Sequence, residues 1–246
     1  MMEENEVLNY LLAHEQFKII QRKDMFNFSL DTVLLANFCT INKNCRHIID
    51  FGTNNAAIPM FLSLRTTCPI TAVEIQKEAC LIAEKNIELN DLKKQVTIIH
   101  SDIKDYCRGD VNADLVVCNP PFFKLGEKSN LNESEYLKIA RHEIMITLEE
   151  IIQNASRILN QKGRFAIVHR PDRLIEIISL MKKYDLEPKR MQLVYPKAGK
   201  ECNTVLVEAI YKGNTGLKIL PPIYAHEENG EYTKEIRKIF GEKLDD

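Results

Sequence analysis

The stretch His47-Ile48-Ile49-Asp50-Phe51-Gly52-Thr53-Asn54-Asn55-Ala56, continued by AIPMFLSLR to position 65 and ITAVE at 70–74, decides the fold. A short apolar run too brief for a helix leads into a polar turn. A helical pattern and a second short β-rich run follow, which together make a β-α-β unit. The rhythm continues outward. QKEACLIAEKNIELN at 76–90 is helical, VTIIH at 96–100 and ADLVVC at 113–118 are strands, LEEIIQNASRIL at 148–159 is a helix, GRFAIVH at 163–169 a strand, and PDRLIEIISLMKKY at 171–184 a helix. Alternation of this kind predicts an α/β protein with a doubly wound, mainly parallel sheet. Pro171 suits a first helical turn, where its missing N–H is not needed, and Gly163 stands as a stop between a helix ending near Leu159 and the next strand.

The chain closes differently from a nucleotide-binding dehydrogenase. KRMQLVYP at 189–196 and NTVLVEAIYKG at 203–213 are joined by a short link containing Gly199, so they should pair antiparallel. A seven-stranded, mainly parallel sheet with a terminal antiparallel hairpin resembles the Rossmann-like class I methyltransferase fold. Ahead of that core, residues 1–45 suggest a first helix, an extended stretch FKIIQRKDMFNFS at 17–29, and a second helix from about Asp31 to Phe38.

In an open parallel sheet the ligand crevice lies at the carboxyl ends of the strands. The turn Asp50-Phe51-Gly52-Thr53-Asn54-Asn55-Ala56 resembles the D-x-G-x-G-x-G turn of class I methyltransferases with only its first glycine kept. Asparagine tolerates the left-handed region, so Asn54 can stand in for glycine, whereas the Ala56 methyl should crowd a cofactor or shift the loop. Glu74 ends the second strand, followed by Ile75, and a carboxylate there can accept from both ribose hydroxyls. Asp102, after the third strand, has two open readings: acceptor for an adenine amino group, or plain helix N-cap. NAD would prefer G-x-G-x-x-G for its pyrophosphate; S-adenosylmethionine has no phosphate and better tolerates the missing glycines.

The fourth strand runs into Cys118-Asn119-Pro120-Pro121-Phe122-Phe123, which resembles the N-P-P-[FYW] signature of amino-group methyltransferases. The Asn119 amide and the Pro120 carbonyl offer two acceptors, and Pro120 and Pro121 hold them rigidly. An exocyclic amino nitrogen is a poor nucleophile while its lone pair is delocalised into a ring. Two acceptors gripping its hydrogens favour the pyramidal form, and Phe122 would stack on the base, so catalysis rests on orientation and hydrogen bonding. The polar segment Lys124–Arg141 that follows is either a substrate lid or an exposed connector.

Several further stretches are similar to the bacterial methyltransferases that modify N6 of the adenine 3′ of the anticodon in a valine tRNA: FSLDTVLLANF at 28–38, AVEIQ at 72–76, NPPFF at 119–123, ARHE at 140–143 and HRPDRL at 169–174. The likeness spans about residues 15–235. It implies S-adenosylmethionine as cofactor, held by Asp31, Asp50, Gly52, Asn54, Glu74, Ile75, Asp102 and Asn119. It also implies an N-terminal helix/hairpin cap (1–45) with Phe28, Ser29 and Asp31 over the cofactor, a methyltransferase domain (46–246), and tRNA as substrate. Two other readings stay open: an amino-methyltransferase acting on DNA adenine, ribosomal guanine or a protein glutamine, and a non-catalytic RNA-binding relic.

Composition fits this picture without dictating it. The 246 residues are 45% hydrophobic and 28% charged with a net charge of −2, ordinary for one enzyme-sized globule and too balanced to announce a polyanionic partner. Residues 151–200 nevertheless hold eleven Lys or Arg against four acids, which suggests Arg170, Arg173, Lys189 and Arg190 as phosphate contacts. The seven cysteines never fall as C-x-x-C, so we expect reduced thiols and no zinc, and His142-Glu143 lacks a second histidine at 146. An acidic start and the absence of a long apolar run predict a cytoplasmic protein, acting as a monomer or weak dimer.

Overall fold

The computed structural model describes residues 5–25, 27–120 and 146–244. The chain opens with a hairpin, β1 (Glu6–Leu11) and β2 (His14–Arg22), followed by α1 (Leu30–Phe38). The core then runs β3 (Ile48–Phe51), α2 (Ala57–Ser63), β4 (Ile70–Glu74), α3 (Lys77–Leu89), β5 (Val96–His100), α4 (Ile103–Tyr106), β6 (Ala113–Cys118), α5 (Leu148–Ile158) and β7 (Leu159–His169). After a 3-10 turn at Pro171–Arg173 come α6 (Leu174–Lys183), β8 (Leu186–Tyr195), β9 (Thr204–Tyr211), two short strands β10 (Lys218–Ile219) and β11 (Ile223–Tyr224), and α7 (Lys234–Ile239).

The strands order as β5-β4-β3-β6-β7-β9-β8, parallel except for β9, which runs antiparallel to both its neighbours. These are the seven strands expected from the sequence. The two-residue strands β10 and β11 extend the sheet along the free edge of β8, so it holds nine. Such short strands offer too little pattern to stand out in a sequence, and they cover an edge that would otherwise expose unpaired backbone.

Both faces of the sheet are buried, which is why its strands are nearly continuous in apolar residues. On one face Ile48, Ile70, Leu115 and Val168 pack with α1, α2 and α7; on the other Ile49, Phe51, Val116 and Phe165 pack with α5 and α6. Helix α5 is set by a capping box, the Thr147 hydroxyl accepting from the Glu150 N–H at 3.2 Å and the Glu150 carboxylate from the Thr147 N–H at 2.7 Å. Strand β7 begins at the residue after α5, so Gly163 lies inside the strand and is not a separate stop. A Cβ on Gly163 would sit 2.8 Å from the Asn160 carbonyl and 3.2 Å from that of Ala113, so a close approach of backbones fixes this glycine.

The first helix expected within residues 1–45 is a strand instead. Segment Glu6–Leu11 pairs antiparallel with β2, turned by Leu12 in a left-handed conformation (φ 56°). The edge of β2 is held from α3: the Asn86 side chain accepts from the Ile20 N–H (2.6 Å) and donates to the Ile20 carbonyl (3.0 Å), and Asn90 does the same for Lys18 (2.8 and 2.7 Å). These long-range contacts override a weak local helical preference. Among the described residues no helix is long and apolar enough to cross a membrane. All seven cysteines are free thiols, five of them buried; Cys45 and Cys68 touch at 3.3 Å between sulfurs.

Candidate active site

Register brings the expected residues together. Phe51 pairs with Val73 on one side and Cys118 on the other, so Gly52, Glu74 and Asn119 leave three adjacent strands at one level, about 5 Å apart strand to strand. Two strands from β3, β5 ends at His100 opposite Glu74, and Asp102 follows. The Asp50–Ala56 turn is left-handed at Gly52 (φ 70°), Asn54 (φ 51°) and Ala56 (φ 63°). The backbone of a glycine-rich turn is therefore kept although two of its three glycines are gone. The Ala56 side chain is fully buried and belongs to the core beside α1 and α2, so its methyl packs into the protein, contrary to the expectation that it would crowd a ligand.

Glu74 organises this turn. One carboxylate oxygen accepts from the Asn54 N–H at 2.9 Å, the other from the N–H groups of Ile75 (3.0 Å) and Gln76 (2.9 Å). Asp102 serves as N-cap of α4, accepting from the Lys104 N–H at 2.7 Å through one oxygen while its side chain keeps partial exposure. Asp50 differs from both. It is fully buried, and among the described residues neither carboxylate oxygen has a hydrogen-bonding partner; the Thr53 hydroxyl and the Asn55 side-chain nitrogen are likewise buried and without a partner among them. Burial pushes the Asp50 carboxyl up to about 7, opposed by the nearby Thr53 hydroxyl and reinforced by the charge of Glu74.

Asn119 reaches across to the N-terminal segment. Its side-chain nitrogen donates to the Thr32 hydroxyl at 3.2 Å, and the Ser29 N–H donates to the same oxygen at 3.3 Å. Next to Thr32, the Asp31 carboxylate accepts from the Thr204 hydroxyl at 3.0 Å; burial raises its pKa, against that hydrogen bond and the charge of Arg170. The first turn of α1 thus touches both the β6 terminus and the start of β9. Pro120 is buried. Pro121, Phe122, the Lys124–Arg141 segment and the His142-Glu143 pair lie outside the described residues.

The basic candidates are not gathered at this edge. Arg173 is nearly buried and forms a two-pronged pair with Glu176 (2.5 and 2.8 Å), and Lys189 donates to the carbonyls of Asn214 and Thr215. Arg190 donates to the Phe38 carbonyl (3.1 Å) and reaches Glu208, which is fully buried and also holds Arg164 and Thr40. Arg170 lies at the carboxyl edge, donating to the Asn203 carbonyl at 2.9 Å. His169 beside it is buried and held neutral, its pKa lowered to about 4 by burial and the charge of Arg173. Reasoning from sequence missed Thr32 and Thr204, since a threonine in a helix or strand carries no signal until its partners are in place.

A parallel sheet in this strand order, with an acidic turn after its first strand and an Asn-Pro end on its fourth, defines a class I methyltransferase. The profile of the Methyltransferase small domain family matches residues 30–184, and the chain belongs to that family. It is similar to curated proteins named tRNA1(Val) (adenine(37)-N6)-methyltransferase: 25% identical over 201 residues to one from Parabacteroides distasonis (81% of this chain, 83% of the relative) and 28% over 186 residues to one from Flavobacterium psychrophilum (75% and 78%). Among solved structures, a predicted O-methyltransferase from Agrobacterium tumefaciens superposes with a TM-score of 0.68 at 22% identity, over 86% of this chain and 95% of that one, a likeness of fold. The methyl donor is S-adenosylmethionine. The residues present fit it: its ammonium and ribose hydroxyls are donors, and the turn offers the Asp50 carboxylate, without a partner among the described residues, together with Glu74, alongside left-handed backbone at Gly52 and Asn54.

Proposed function

We propose that this enzyme transfers a methyl group from S-adenosylmethionine to the exocyclic N6 of an adenine in tRNA, next to the anticodon of a valine tRNA. The observation that carries the reading is the register that sets Asn119 beside Gly52, with acceptor chemistry one strand from the cofactor turn. The names of the relatives supply the RNA acceptor.

Bound S-adenosylmethionine supplies an electrophilic methyl on a sulfonium. On the protein side, Asp50, Gly52, Asn54, Glu74, Ile75 and Asp102 hold the cofactor, and Phe28, Ser29 and Asp31 of the N-terminal segment cover it. Asn119 Oδ1 and the Pro120 carbonyl accept the two hydrogens of the adenine amino group, which localises its lone pair for attack. Phe122 stacks on the base. An unpaired loop base is the least expensive to turn outward into such a site.

The RNA backbone is assigned to the carboxyl edge of the sheet. Arg170 stands there, and so does an open groove of about 580 Å³ bordered by Lys197, Lys200 and His226 beyond the end of β8. Arg173, Lys189 and Arg190 hold the fold together and are weaker candidates.

The reading is tested by supplying labelled S-adenosylmethionine with unmodified total tRNA, duplex DNA and a glutamine peptide, with Asn119→Ala as control. Label in tRNA that digests to N6-methyladenosine and disappears in the variant is the expected result. Label only in DNA or peptide would replace the acceptor and keep the chemistry.

A further inference from the structure

The contact between Asn119 and Thr32 joins positions 87 residues apart. Asn119 is the group on which the proposed chemistry turns, and an amide has a near-symmetric shape with opposite ends: one oxygen that accepts, one NH2 that donates. Only the oxygen helps an amino substrate. Turned the other way, the amide would set two donors against each other and oppose the pyramidal nitrogen.

In the structure the nitrogen end of the Asn119 amide faces Thr32, which leaves Oδ1 turned the other way. Thr32 is 6% exposed, in the first turn of α1, and among the described residues its hydroxyl oxygen lies within hydrogen-bonding reach of the Asn119 side-chain nitrogen, at 3.2 Å. That oxygen also accepts the Ser29 N–H at 3.3 Å, which fixes its place in the cap. The helix is itself anchored at the neighbouring position, where Asp31 takes the Thr204 hydroxyl of β9 at 3.0 Å. Helix α1 packs on α2 and the sheet through Val33, Leu34 and Leu35, all buried. The hydroxyl is thus held by a rigid element, as a residue that orients another must be.

We propose that Thr32 is a positioning residue for catalysis: its hydroxyl takes one amide hydrogen of Asn119 and so locks the side chain with Oδ1 presented to the incoming amino group. This rests on the reading of Asn119 given above. Thr32 touches no substrate; it acts through Asn119 alone. Helix α1 therefore supplies part of the catalytic geometry, in addition to covering the cofactor.

The test compares Thr32→Val, which keeps the buried shape and removes the acceptor, with Thr32→Ser, which keeps the hydroxyl. For methylation of unmodified tRNA, Thr32→Val should lower kcat about 10- to 100-fold, while KM for tRNA and the calorimetric Kd for S-adenosylmethionine stay within about 3-fold. Thr32→Ser should recover kcat to within about 3-fold of the parent. If Thr32→Val retains full kcat while Asn119→Ala is inactive, or if Thr32→Val weakens cofactor binding and kcat together, the hydroxyl is only a helix cap and the proposal is overturned. Failure of the tRNA reading is distinguishable: the parent enzyme then labels DNA or peptide, and the same variant series on that acceptor still decides the role of Thr32. A parent that labels no acceptor overturns both.

Discussion

At the scale of single residues, the site combines one ionisable group held against its preference with one backbone kept against its side chains. Asp50 is buried without a hydrogen-bonding partner among the described residues, and its carboxyl is pushed up to about 7. The unfolded chain releases this proton near the ordinary carboxylate pKa, while the folded chain keeps it to about pH 7. Between those limits the native state binds more protons, so its stability falls as pH rises, by about 4 kcal/mol at most, and levels off above 7. Denaturation of the parent and Asp50→Asn at several pH values should show this fall as the difference between them; parallel curves would mean that Asp50 is ionised throughout. A cationic cofactor favours the charged carboxylate, so its affinity should rise through pH 7 in the parent and not in Asp50→Asn. Ala56 is the second case. Its left-handed backbone is unfavourable by roughly 1–2 kcal/mol, and its buried methyl contributes roughly 0.8 kcal/mol, so Ala56→Gly should leave the unfolding free energy within about 1 kcal/mol of the parent. A loss above about 2 kcal/mol would show that the core needs the methyl more than the turn needs relief.

At the scale of elements, the N-terminal hairpin is tied to the rest of the fold through a side chain. Asn86 is fully buried on α3, grips both backbone groups of Ile20, and donates to the Asn55 carbonyl at 2.9 Å within the Asp50–Ala56 turn. It therefore links the hairpin, α3 and the turn after β3. Asn86→Leu would strip the Ile20 N–H and two carbonyls of a partner at once, and should lower stability by about 2–4 kcal/mol. Hydrogen exchange should accelerate at Ile19 and Ile20 before it does in β3 or β6; uniform acceleration would mean that hairpin and core unfold together. The same contact explains what was legible in the sequence. Strands such as Ile48–Phe51 and Ala113–Cys118 declare themselves because burial on both faces makes them apolar throughout. Segment Glu6–Leu11 has two buried positions of six and takes its conformation from β2, which in turn is held by Asn86 and Asn90 some 70 residues away. No local pattern carries that information. Asp50, Gly52, Glu74 and Asn119 could be proposed as site residues because they sit at strand ends that the β-α-β rhythm locates. The Thr32 contact needed the fold.

At the scale of the whole molecule, five of the eleven basic residues between 151 and 200 are engaged in ion pairs within the chain. Of the basic residues between 151 and 200, Arg164 and Arg190 meet buried Glu208, Arg173 pairs with Glu176, Lys182 with Glu187 and Lys183 with Glu149. Linear charge counting sees the excess of lysine and arginine but not these partners, which is why the proposed phosphate contacts were the least legible part of the sequence. Lys197 and Lys200 make no ion pair among the described residues, and they follow β8 at the same sheet edge as Asn119. Glu201 and Glu227 border the same groove, so its field is weak and phosphate contacts there should be few. If both lysines bind phosphate of an unpaired strand, each contributes about 0.7 to the slope of log affinity against log salt. The double variant Lys197→Ala, Lys200→Ala should then lower that slope by about 1.4 and raise KM for tRNA at low salt, with kcat at saturating tRNA unchanged. A slope identical to the parent's would remove the groove from the RNA path and leave Arg170 and residues beyond those described to carry it. A drop in kcat at saturating tRNA would instead mean that the loop after β8 shapes the site itself, through Thr204 and its bond to Asp31.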